Sequence, residues 1–254
     1  MGRLLKFEFR KLFHSKLPYI FIAIVATTVL FEGLIYFGLD FLLGDIEEVS
    51  PVVAIPVGYL FVKGVVGGTF LTLAAVYITI YACEENTQHT TKNIIAKGYN
   101  RLKVYFSKYI PSLIVIICLA IVGVIVGAGI GLAAWGPESF ANDDNLAVII
   151  IGQLFCLIVY HALYFAIAYT IGKLAGALVI NILLASLLGS VFMIIDMALE
   201  NQGINISQYW VSGILTNFSG TTDKSKYLQS FILLPIYLAL FETFGIIFAR
   251  RKQF

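Results

Sequence analysis

Charge is scarce in this sequence: Asp, Glu, Lys and Arg together make up 13% of its 254 residues, roughly half the share that a soluble domain carries. The formal net charge is only +2, too small to point to a nucleic-acid partner. Cysteine is nearly absent. Cys83, Cys118 and Cys156 all lie in or beside apolar runs and none belongs to a CxxC pair, which argues against both a disulfide framework and a zinc site. No G-x-x-x-x-G-K-S or G-x-x-x-x-G-K-T pattern occurs, so phosphate-binding ATP chemistry is not expected in this chain. The basic opening, residues 1–16, is followed by an apolar run too long for a signal-peptide core and without a small-residue cleavage site. That run is expected to stay in the mature protein. No soluble domain is expected alongside the apolar runs.

What the sequence has in abundance is apolar length: 59% of its residues are hydrophobic. They are gathered in six runs, 17–37, 58–83, 109–135, 146–171, 174–197 and 227–248. At 1.5 Å per residue each is long enough to cross a hydrocarbon core of about 30 Å. The runs are continuous rather than alternating, so they predict helices and not barrel strands. The fold class expected is therefore an all-α integral membrane protein of six transmembrane helices.

The charges that do occur orient the bundle. Arg3, Lys6, Arg10, Lys11 and Lys16 precede the first run, and Lys92, Lys97, Arg101, Lys103 and Lys108 lie between the second and third. Lys173 lies between the fourth and fifth, and Arg250, Arg251 and Lys252 follow the sixth. Six spans place these 14 of the 17 basic residues on one side, leaving Lys63, Lys224 and Lys226 on the other with most of the acids. The basic side is the cytoplasmic one, so both ends are expected in the cytoplasm of a multi-pass membrane protein.

The connections differ in character. The first outer loop, 38–57, is acidic and contains Pro51 and Pro56, and the second, 136–145, is short. The third, 198–226, mixes Ile204, Ile206, Tyr209, Trp210, Ile214, Leu215 and Phe218 with Asn, Ser and Gly. This amphipathic stretch predicts short helices lying on or dipping into the outer leaflet. At the chain start, Leu5, Phe9 and Leu12 share one helical face and Arg3, Lys6, Arg10 and His14 the opposite one, with Phe7 breaking the pattern. That predicts an interfacial helix over 1–16, and a plain basic tag that sets topology is the alternative.

The one sizeable inner loop is 84–108, EENTQHTTKNIIAKGYNRLKVYFSK. Asn86 or Thr87 can cap a short helix, Gly98 can end it, and Asn100 can cap a second. In the second, Leu102, Tyr105, Phe106 and Tyr109 form an apolar face. Such a hairpin at the membrane surface can pass a push from a cytoplasmic partner into the third span.

In this loop the sequence resembles the ABC-2 family of ABC-transporter permeases. Their loop often reads E-x-x-x-G-T-x-K-N-L-L-x-K-G-x-x-R-x-K-x-Y-x-S-K. Glu85, Thr90, Lys92, Asn93, Ile94, Ile95, Lys97, Gly98, Arg101, Lys103, Tyr105, Ser107 and Lys108 stand in matching positions, with His89 in place of the usual Gly. The opening RLLKFEFRKLFHSKLPY is also similar to the family's N-terminal helix. The resemblance implies one ABC-2 domain over 1–254, with an interfacial helix, a cytoplasmic coupling helix between spans two and three, and an extracellular re-entrant hairpin between spans five and six. It implies a non-enzymatic permease in a bacterial cytoplasmic membrane, acting with two cytoplasmic ATPase subunits and a second permease copy or close paralogue. ATP and magnesium would be bound by those ATPase subunits and no cofactor by this chain. Glu85, Thr90, Lys92, Asn93, Lys97, Gly98 and Arg101 would contact the ATPase. Small permeases of this layout often export antimicrobial or toxin-like peptides or drugs, and some confer immunity on peptide producers.

Single residues leave further expectations. Glu84, Glu85 and His89 suggest ATPase contacts or capping before any metal or protease site, because HExxH is missing and bases crowd the loop. Ionisable residues inside spans are functional candidates: Glu32 in the first and Glu242 in the sixth as substrate or gating residues, against helix-to-helix hydrogen bonding. His161 in the fourth is an interhelical hydrogen-bonding residue or a substrate contact. Lys63 and Asp196, near the outer boundary, can snorkel. Gly123, Gly127 and Gly131 mark one face of the third span, for tight packing within the chain or a subunit interface. Pro111 is expected to bend the entry of that span. Two other classes remain on the sequence: an ATPase-independent secondary transporter or channel, and a membrane-embedded enzyme. The first would show repeats and broken helices, the second clustered polar residues at one depth.

Overall fold

The computed structural model describes residues 2–43, 64–87, 97–137, 146–199, 205–220 and 224–251. The regular elements among them are all helical: α1 (Gly2–His14), α2 (Leu17–Leu43), α3 (Gly68–Thr87), α4 (Arg101–Trp135), α5 (Leu146–Ile171), α6 (Leu174–Ser186), α7 (Leu188–Leu199), α8 (Val211–Gly220) and α9 (Lys224–Arg251), with a 3-10 turn at Ser207–Tyr209. This is the all-α membrane architecture that the long apolar runs require. Five helical stretches are long and apolar enough to cross a membrane: Leu17–Leu39, Arg101–Trp135, Leu146–Ile171, Leu174–Leu199 and Ser225–Arg251. The apolar part of α3, Gly68–Glu84, is shorter, and residues 58–63 of the predicted second span lie outside the described residues, as does most of the first outer loop.

Several boundaries follow from local chemistry. The Ser15 hydroxyl accepts the amide of Leu17 at 3.2 Å, and Pro18 sits in the first turn of α2, where a missing amide costs nothing. α5 ends at Gly172, whose φ of +68° is left-handed and whose amide reaches back to the carbonyl of Ala168 at 2.9 Å. Only Gly172 and Lys173 then separate α5 from α6. The predicted fifth span is two helices with a break at Leu187. The amides of Leu187 and Val191 still bond to the carbonyls of Leu183 and Leu187, at 2.8 and 3.0 Å, so the ladder continues across it.

The predicted third span and the second loop helix are one element. α4 continues unbroken for 35 residues with Pro111 inside it, about 52 Å at 1.5 Å per residue and some 20 Å more than a hydrocarbon core needs. The excess puts its first turns beyond the apolar layer. α2 similarly continues to Leu43, taking in residues expected in the first outer loop. α3 continues to Thr87, past the expected loop start at residue 84.

Packing places α3 at the centre, against α6 and α5 and touching α4 and α2, while α2 lies along α4 and α9 along α5. The glycine face of α4 serves this packing: a Cβ at Gly123 would lie 3.2 Å from Val65 and 3.4 Å from Val25, and Gly127 and Gly131 are buried within the same chain. Polar side chains in the interior pair across helices. Asn181 of α6 donates to Thr79 Oγ1 of α3 at 2.7 Å and to the carbonyl of Tyr164 of α5 at 3.0 Å.

The described part of the 198–226 connection, expected as the third outer loop, enters the bundle. Ser212, at the start of α8, is hydrogen-bonded to Tyr160 and faces Gly189, where a Cβ would meet its Oγ at 3.1 Å. At the other end of α8, the Phe218 ring fills the place a side chain on Gly152 would need. Gly152 and Tyr160 are eight residues apart on α5, about 12 Å, so α8 starts deep in the bundle and runs toward the N-terminal end of α5. Asp196 of α7 holds the descending strand by accepting the amides of Ile206 and Ser207 at 2.6 and 3.0 Å. Trp210 stacks on Phe192 with ring centroids 5.1 Å apart. Substituting Gly152→Leu is expected to push Phe218 out of its notch and destabilise the chain by about 1–3 kcal/mol. Adding Phe218→Ala is expected to recover part of that loss. Thermal unfolding in detergent, with Trp210 emission reporting on α8, checks both.

Candidate functional site

Residues four apart on a helix share one face, and α4 opens with three of them: Arg101, Tyr105 and Tyr109. α9 closes with their counterparts in antiparallel order. The Arg101 guanidinium donates to the backbone carbonyl of Arg250 at 2.9 Å. The Tyr105 hydroxyl lies against Gly245, where a side chain would collide with it. The Tyr109 hydroxyl donates to the carboxylate of Glu242. The pairing at Arg101 also places a fixed positive charge at the C-terminal end of α9, where the helix dipole favours it.

α5 adds a third strip at the same spacing. His161, Phe165 and Tyr169 stack along their own helix and meet the tyrosines edge-on. The centroid separations are 4.6 Å for Tyr109 with His161, 5.3 Å for Tyr105 with Phe165 and 5.1 Å for Tyr105 with Tyr169. His161 is fully buried, and its Nε2 is 2.7 Å from Ser112 Oγ. Its Nδ1, the Tyr105 hydroxyl and Glu242 Oε2 are buried without a hydrogen-bond partner among the described residues. Buried polar atoms without partners are costly. The seam is thus held by the Arg101 and Tyr109 hydrogen bonds to α9, the Ser112–His161 contact and ring packing, with spare polar valence at its centre.

A second cluster lies at the same end. α1 packs across α4 and the start of α2. The stripe it buries is Leu4, Glu8 and Leu12, not the expected Leu5, Phe9 and Leu12. The shift follows from Glu8, a charged residue that turns inward because the Tyr81 hydroxyl of α3 donates to its carboxylate at 3.2 Å. One turn on, Lys11 pairs with Glu84 at 3.0 Å. The last turns of α3 are therefore strapped to α1 where the chain leaves for residues 88–96.

The residues expected to contact an ATPase are distributed as follows. Glu85 is in the last turn of α3, its side chain outside the described residues, and Thr90, Lys92 and Asn93 lie outside them altogether. Lys97 and Gly98 form the turn before α4, and Gly98 adopts φ +85°, the left-handed conformation expected of a helix-ending glycine. Asn100 caps α4 by accepting the amide of Leu102 at 3.1 Å. Arg101 is half-buried and bonded to the end of α9. Lys108 is buried with Val104, Tyr105, Ser107 and Tyr109. Glu242 and His161 meet at the seam through Tyr109, whereas Glu32, half-buried on α2, has no part in it. Sequence reasoning missed Glu8, Tyr81, Ser112 and the seam itself; the paired four-residue spacings of 101, 105 and 109 and of 161, 165 and 169 were the available signal.

Tyr109→Phe is expected to lower stability by about 0.6–1.7 kcal/mol, the range for hydrogen bonds between helices in a membrane. Glu242→Gln is expected to cost less, since its amide oxygen still accepts from Tyr109. Equilibrium unfolding in mixed micelles measures both.

No curated protein and no solved structure matches the chain. One protein-family model does, over residues 4–189, and its description is ABC-2 family transporter protein. The match takes in α1, the strap to α3, residues 88–96 and the α4 and α5 strips of the seam, and it covers well over half of the sequence. The chain belongs to the ABC-2 family of transporter proteins, the membrane permease components of ABC transporters.

Proposed function

We propose that this permease works as an exporter driven by two separate ATPase subunits that dock on loop 84–108, paired with a second permease copy or close paralogue. The observation that carries the reading is how the two flanks of that loop are tied. On one side α3 is bound to α1 through Lys11–Glu84 at 3.0 Å. On the other, Arg101 binds the end of α9 at 2.9 Å. A push on residues between these points reaches α1 and α3 together, and α4 and α9 together. The seam is where that push becomes rearrangement: parting α4 from α9 breaks the Tyr109–Glu242 contact, slides the tyrosine rings past those of α5, and leaves the Arg101 bond to the Arg250 carbonyl as the hinge at the shared end. Two alternative packings are what alternating access requires. Glu242 and His161, with their spare polar atoms, are the gating groups of this scheme.

The substrate class that fits is an amphipathic peptide or drug taken from or delivered to the membrane. The supporting feature is the segment leading into α8, which offers Trp210, Tyr209 and exposed Ile206 beside the polar groups of Asn205 and Asp196. The grouping of the α1, α3, α4 and α9 termini at one end, together with the basic residues there, supports cytoplasmic ends; a bacterial membrane is proposed with them on the family resemblance.

An ATPase is expected to co-purify with the wild-type chain and to be lost when residues 90–97 are scrambled. Arg101→Ala is expected to keep the ATPase bound while lowering its stimulation by amphipathic peptides about tenfold, the effect of losing about 1.4 kcal/mol of charge-assisted hydrogen bonding. Transport by the purified chain without any ATPase would overturn the reading, and indifference to every amphipathic peptide would overturn its substrate class.

A further inference from the structure

α1 buries the stripe Leu4, Glu8 and Leu12, with Leu5, Phe9 and Lys11 half-buried beside it, which leaves the opposite side of the helix free of the bundle. Helical geometry at 100° per residue sets Lys6, Arg10 and Arg3 directly opposite that stripe. Phe13 borders them on one side, with Phe9 beyond it. Arg3, Lys6 and Arg10 are exposed, and none of them forms an ion pair among the described residues. Phe13 is 64% exposed. Large exposed aromatics beside unpaired cations at the edge of a membrane bundle need a partner that is apolar and negative at once.

Where this face points is fixed by the turn into α2. Only Ser15 and Lys16 separate the two helices, and the Tyr19 hydroxyl donates to the carbonyl of Phe13 at 3.3 Å. Tyr19 and Ile20, at the base of the first span, are themselves exposed, on the surface of a helix apolar enough to cross a membrane. The Phe13 ring extends that surface sideways along α1, at the depth where acyl chains give way to headgroups. The cations next around the helix then lie at headgroup level. An acidic protein surface would match the charge but would leave the Phe13 and Phe9 rings without an apolar medium.

We propose that the outward face of α1 is a binding surface for anionic phospholipid headgroups, with Arg3, Lys6 and Arg10 as the contacts and Phe13 as the membrane anchor. Lipid held there fixes α1, and through Glu8–Tyr81 and Lys11–Glu84 it fixes the end of α3 that leads into residues 88–96. This last consequence rests on the proposed docking of an ATPase at that loop, whereas the lipid contact does not.

The test uses the full chain in nanodiscs of phosphatidylcholine alone or with about one third phosphatidylglycerol. Native mass spectrometry reads the phosphatidylglycerol retained, and hydrogen exchange reads the protection of residues 2–14. Retention and α1 protection are expected to rise with phosphatidylglycerol and to fall at high salt. Each of Arg3→Gln, Lys6→Gln and Arg10→Gln is expected to lower the preference for phosphatidylglycerol about fivefold, from roughly 1 kcal/mol per basic residue near an anionic surface. Arg3→Lys with Arg10→Lys is expected to behave as wild type, separating loss of charge from loss of folding. Equal retention and protection in wild type and the triple Gln variant would overturn the proposal. So would a triple variant that sheds the ATPase while its lipid preference is unchanged, which would make this face a protein contact. If lipid dependence holds and ATPase stimulation does not follow it, the lipid surface stands and the docking scheme fails.

Discussion

Inside a membrane, water is not there to satisfy polar groups, so every hydroxyl, imidazole and carboxylate carried into the apolar layer depends on what a neighbouring helix offers. The contact between Tyr109 and Glu242 is the point on which this bundle turns. It fixes the register of α4 against α9, and that register brings Arg101 to the end of α9 and Tyr105 to the only kind of backbone that admits its hydroxyl, a glycine. With α4 so placed, Tyr109 is available to His161, and the α5 strip stacks behind it. Moving Glu242 one residue along α9 would swing it about 100° around the helix and leave nothing for the tyrosine to hold.

The strap at α1 obeys the same rule at the membrane edge. Glu8 is the sole acid in a strongly basic segment, and it is buried because Tyr81 receives it. Burying a carboxylate costs free energy that a hydrogen bond must offset, so its inward position selects which face of α1 meets the bundle. The apolar residues alone would have allowed the neighbouring face.

Composition was enough to read the all-helical membrane class, because runs of about twenty apolar residues have few other physical solutions. Asn100 and Gly98 were legible too, since a cap and a left-handed glycine depend only on their immediate neighbours. The fourth span, 146–171, coincides with α5. The seam was not legible. His161 and Glu242 stand out singly as polar residues in apolar runs, but their meeting through Tyr109 depends on which helices are adjacent, and hydropathy carries no information about adjacency. The rotation of α1 was hidden because an amphipathic plot counts Glu8 as polar and therefore outward. The length of α4 was hidden for a related reason: a change from polar to apolar residues reads as a boundary even when the backbone hydrogen bonds run on through it. The glycine face of α4 left two readings on sequence, and Val25 and Val65 account for Gly123 within one chain.

The turn between α5 and α6 has a mechanical consequence. Two residues, Gly172 and Lys173, are all the chain between them, and Asn181 is pinned to the backbone of Tyr164 nearby. Such a hairpin has no slack. α6 cannot slide or tilt on its own; it follows α5, carrying Thr79 and the central helix with it. Whatever displacement α9 imposes on its partner is thereby delivered across the molecule to the opposite flank as the swing of one stiff body.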